Sequence, residues 1–76
     1  MNKAFVWINQ VNGGGAGTHG VVAGSYVLLD PSDNVVNTAG CSALFATTDT
    51  AATIQALLVA NIRDNNNDQT IDVTFL

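Results

Sequence analysis

The sequence predicts an α+β fold: a small mixed or antiparallel sheet of three to four strands, in the chain order β-β-β-α-β, with one helix packed on one face. Three observations carry that expectation. β-Branched and aromatic residues concentrate at 4–10 and 21–30, one stretch at 49–63 repeats apolar residues at helical spacing, and the final TIDVTFL alternates strictly. With 76 residues, the chain has room for a single compact domain spanning 1–76.

Residues 4–10 (AFVWINQ) read as the first strand. Alternation sets Phe5, Trp7 and Asn9 on one face and Ala4, Val6 and Ile8 on the other, so both faces are largely apolar and both should be covered. Residues 12–20 (NGGGAGTHG) hold too many glycines for a regular element and are expected to form a flexible loop. The second strand covers 21–30 (VVAGSYVLLD), with Gly24 a candidate bulge position.

Asp30-Pro31-Ser32-Asp33-Asn34 is a strong turn, since proline presets φ and the Asp and Asn side chains bond nearby amides. Extended residues resume at 35–38, Ala39-Gly40 interrupts them, and 41–46 forms a third or continuing strand. Thr47-Thr48-Asp49 supplies helix-capping oxygens. The helix predicted over 49–63 places Ala51, Ile54, Leu57, Leu58 and Ile62 on one stripe, and Arg63 suits its negative C-terminal end. Residues 64–68 (DNNND) end it, and in strand 70–76 Ile71, Val73 and Phe75 point inward.

Composition closes several functional classes. The formal charge is −4, and Lys3 and Arg63 are the only basic side chains, so no nucleic acid is expected as partner. Cys41 is the only cysteine, which forbids an internal disulfide framework and a multi-cysteine zinc site. The longest uninterrupted apolar run, 56–60, is far short of the ~20 residues of a membrane span. No signal-peptide pattern follows Met1, so the expectation is a soluble chain, intracellular or in a virion, without membrane contact.

Four motifs bear on chemistry. Gly15-Ala16-Gly17-Thr18-His19-Gly20 matches G-x-G-x-x-G letter for letter, but the glycines of a dinucleotide site must lead into a helix, and a strand follows here. A weaker alternative is a small binding module in which Gly15, Gly17, Thr18, His19 and Gly20 capture an anion such as a nucleotide, against the unfavourable net charge. His19 and Cys41 have no orienting acid or nucleophile identified beside them; the expectation is a solvated histidine, a core cysteine and no enzyme. Asp64, Asn66 and Asp68 imitate the start of a calcium loop, but Gln69 stands where that loop needs glycine and Phe75 where it needs glutamate. No cofactor or metal is expected.

One helix covers one face of a small sheet, whereas strands 4–10 and 21–30 are apolar on both. Only 11% of the residues are charged, and a domain this small commonly gains stability by association. The expected function is therefore a non-enzymatic structural or interaction protein, a subunit of a homo-oligomer or larger assembly, with a small capsid or tail component as the concrete instance. Phe5, Trp7 and Tyr26 are the candidate interface residues.

Overall fold

A computed structural model describes residues 1–13 and 19–76 of the chain. Its elements are β1 (Lys3–Asn12), β2 (His19–Leu29), β3 (Val35–Ala46), α1 (Ala51–Asn65) and β4 (Asp72–Phe75). The four strands form one mixed sheet in the order β3-β2-β1-β4, with β1 antiparallel to β2, β2 antiparallel to β3, and β4 parallel to β1. The α+β fold with one helix is as expected. β3 and β4 run the same way at opposite edges, so α1 is the crossover that carries the chain from one edge to the other.

The β2–β3 hairpin is closed by the Asp30–Asn34 turn. The Asp33 N–H donates to the Asp30 carbonyl at 2.9 Å, and Asp33 takes φ 67° before the strand resumes. The Asp30 carboxylate accepts the backbone N–H groups of Ser32 and Asn34 at 2.9 and 3.0 Å, which holds the turn from inside. Beyond it β3 is continuous. Ala39-Gly40 does not interrupt the strand, because both residues pair in register, with Tyr26 and Ser25. The β1–β2 bulge falls on Asn9, in the strand opposite Gly24. Gly24 has a different role: a Cβ there would lie 2.5 Å from the Trp7 carbonyl oxygen.

The helix starts and stops two residues later than the periodicity places it. Thr50 is the N-cap, its Oγ1 accepting the Thr53 N–H at 3.2 Å. Asp49 is held back, its carboxylate accepting the Ala46 N–H at 3.0 Å. At the other end Asn67 takes φ 49° while the Asp68 N–H reaches the Arg63 carbonyl and the Asn67 N–H that of Asp64, a Schellman ending with asparagine in the usual glycine position. The last strand is shorter than 70–76, since Thr70 turns on Asp68 and Ile71 sinks into the core.

The core lies between the helix and one sheet face. Ala4 and Val6 of β1, Val22, Tyr26 and Leu28 of β2, Cys41 and Phe45 of β3, Leu58 and Ile62 of α1, and Ile71 are all buried there. Ala39, Cys41 and Ala43 are small, which lets the helix approach β3 closely enough for the Asn61 Oδ1 to accept the Ser42 N–H at 3.2 Å. The Arg63 guanidinium donates twice to the Ile71 carbonyl, at 2.9 and 3.1 Å, tying the helix end to the approach of β4. Burial of each large aliphatic side chain in this layer contributes about 1.5–3 kcal/mol.

Candidate functional site

The second sheet face is the candidate site, and parity along the strands defines it. Phe5, Trp7 and Asn9 of β1, Val21, Ala23, Ser25, Val27 and Leu29 of β2, and Thr38, Gly40, Ser42 and Leu44 of β3 all point away from the helix. Two cross-strand rows matter most. One runs Gly40–Ser25–Trp7, and the next runs Thr38–Val27–Phe5–Thr74. Trp7 is 44% exposed and Leu44 67% exposed, while Phe5, Val27 and Leu29 are half-buried by their neighbours in the sheet. Asn9 Nδ2 donates to Ser25 Oγ at 3.3 Å beside the indole. No element among the described residues lies over this face, and the 39–46 segment, a conceivable cover, is part of the sheet itself.

The sequence expectations sort cleanly on this geometry. Phe5 and Trp7 stand on the open face. Tyr26 does not: it is 1% exposed, on the helix side, with its hydroxyl accepting the Asn66 Nδ2 hydrogen bond at 3.0 Å. Its interface assignment is corrected, because β2 is two-sided and Tyr26 belongs to the side that α1 closes. Val21, Val27, Gly40 and Leu44 were missing from the expected interface. Their signal is the alternation of 37–46 in step with that of 21–28, visible once 35–46 is taken as one strand with a register shift near its start.

Charge is confined to the margins. Among strand residues of the open face only Lys3, His19 and Asp72 are ionisable, and Lys3 pairs with Asp33 at the turn. That pair is solvent-exposed and contributes little to stability. The edges of the sheet are partly blunted against simple extension, and the edge strand β4 is only four residues long. Asn61 and Asp49 cap two outward amides of β3, and the helix lies against that strand; at the other edge β4 covers the first part of β1 and the Asn9 bulge distorts the rest.

His19 and Cys41 are not brought together. His19 opens β2 on the open face opposite Ala46, whereas Cys41 faces the helix opposite Gly24. Burial pushes the Cys41 thiol up, away from the reactive thiolate. In the glycine-rich segment, Gly15, Gly17 and Thr18 lie outside the described residues. His19 and Gly20 are already in β2, so the motif leads into a strand and not a helix N-terminus. Gly20 is explained by packing, as a Cβ there would collide with the Phe45 ring. Asp68 accepts both the N–H and the hydroxyl of Thr70, and these bonds, the hydroxyl's first, hold its carboxyl below the usual range. Asp64 accepts from Gln69 Nε2 at 2.8 Å, and Asn66 turns inward, so the calcium-like triplet is used up in ending the helix.

No family model matches this chain, and no curated protein or solved structure matches it. No helix among the described residues is long and apolar enough to cross a membrane.

Proposed function

We propose that this protein is a non-enzymatic structural subunit that self-associates through the open face of its sheet. The observation that supports this most directly is Trp7, held near the middle of an apolar face with almost half of its surface in contact with solvent. A tryptophan at such a position is costly to leave wet and is enriched where protein surfaces meet. The uncharged centre of the face supports the same reading, because two copies carrying −4 each approach best where neither presents a carboxylate. The capped and bulged edges favour stacking of faces over growth of the sheet.

Within this reading, a small virion component is the instance that the Asn-, Thr-, Gly- and Ala-rich surface favours. The test is sedimentation equilibrium of the purified chain from low to high micromolar concentration. A mass that rises to a discrete multiple of 7.9 kDa is expected. A mass that stays at one chain throughout refutes the proposal.

A further inference from the structure

Of the strand glycines, two are required by the chain's own packing and one is not. Gly20 makes room for the Phe45 ring and Gly24 for the Trp7 carbonyl. At Gly40 a Cβ would meet nothing nearer than the Gly24 carbonyl oxygen, at 3.7 Å, an ordinary contact. Gly40 nonetheless sits mid-strand, where glycine weakens a sheet and commonly marks the close approach of something else. It lies in the same row as Trp7, two strands away.

We infer that the partner on the open face is a second copy of this chain, stacked face to face about a two-fold axis running along β2, so that Trp7 of each copy seats over Gly40 of the other. The inference rests on the proposed self-association and specifies its geometry. Rotation about an axis parallel to β2 exchanges the positions of β1 and β3, which flank it, and therefore carries Trp7 onto the row position of Gly40. Facing sheets stand ~10 Å apart, a gap that two opposed side chains must share. An indole takes most of that depth, so it needs a residue with no side chain across from it. Phe5 falls over Thr38 in the next row, and Val27 meets its own copy on the axis.

Charge and area agree with this arrangement. Asp72, on β4, lies outside β1, so the rotation places it beyond the partner's β3, against no carboxylate of the strands. The three overlapping strands, about 4.8 Å apart and paired over roughly ten residues, present about 450–500 Å² per copy. The stack then buries about 900–1,000 Å² in total, at the lower bound of a specific interface.

The experiment measures mass against concentration for the full chain and for Gly40→Leu, Trp7→Ala and the double variant, with far-UV circular dichroism confirming the fold. Gly40→Leu should weaken the wild-type dimer at least about tenfold, and adding Trp7→Ala should recover part of the loss by vacating the space the leucine needs. A wild-type dimer that Gly40→Leu leaves equally tight overturns the Trp7–Gly40 seating while the self-association stands. A wild-type chain that stays monomeric overturns both. If Gly40→Leu misfolds, Trp7→Cys and Gly40→Cys chains are mixed with a bis-maleimide spanning about 10 Å, which joins the stacked pair but not like positions about 14 Å apart. Buried Cys41 should stay unlabelled, with the unsubstituted chain as control. A link between Trp7→Cys and Gly40→Cys chains exceeding that in either chain alone supports the stack; its absence in a dimeric mixture overturns it.

Discussion

Asn66 is the residue whose removal should reveal most about how this small core holds together. Its Nδ2 donates to the Tyr26 hydroxyl at 3.0 Å and to the Ile62 carbonyl at 2.8 Å, and its Oδ1 accepts from Asn37 Nδ2 at 3.0 Å. One side chain thus joins β2, β3 and the end of α1. Asn66→Ala removes these bonds, each worth about 1 kcal/mol net, and leaves the Tyr26 hydroxyl buried without its partner at a further cost of about 1–3 kcal/mol. Asn37 regains water and the Ile62 carbonyl still accepts the Asn66 N–H, so the Tyr26 bond and its orphaned hydroxyl dominate, and the expected loss is about 2–3 kcal/mol. For a chain of this length that lowers Tm by roughly 10–20 °C. Tyr26→Phe alone should cost about 1 kcal/mol, since Asn66 keeps its other two bonds. The double variant should cost about 1 kcal/mol less than the two single losses added together, because the orphaned hydroxyl is gone. Urea unfolding followed by circular dichroism, at matched protein concentrations, measures all three. Asn66→Ala within about 0.5 kcal/mol of wild type, or a cycle additive to that margin, would refute the node.

Two further predictions concern the sheet and its turn. Gly24→Ala drives a methyl into the Trp7 carbonyl and should cost about 1–3 kcal/mol, whereas Gly40→Ala should unfold within about 0.5 kcal/mol of wild type; equal losses in urea unfolding would contradict the assignment of Gly24 to internal packing. Asp30 is held below the usual carboxylate range, first by the Asn34 N–H, then by the Asn34 side chain and the Ser32 N–H. A depressed pKa stabilises the fold above the unfolded value of about 3.9 and loses that contribution as pH falls through the folded value, so the advantage of wild type over Asp30→Asn should shrink on acidification from about pH 5. A difference that stays constant or grows below that pH would show that the carboxylate charge is not what holds the turn.

Local chemistry alone settled the order β-β-β-α-β, the Asp30–Asn34 turn, the existence of the helix and the inward stripe of Leu58 and Ile62. Each of these depends on neighbours within a few residues: a proline at a turn, oxygens at a cap, a period of 3.6 or 2. Boundaries slipped where a side chain chose among several backbone partners, as when Asp49 bonded Ala46 and left Thr50 to cap α1. Two-sidedness of strands 4–10 and 21–30 was also legible, because alternation reports both faces at once. Which face the helix takes is a different matter. It depends on contacts between residues far apart in the chain, and those buried Tyr26 while leaving Trp7 in the open. The continuity of β3 through Gly40, the inward turn of Asn66, and the row that sets Gly40 level with Trp7 have the same origin. They follow from register between strands and from the path of one crossover helix, which no window of sequence contains.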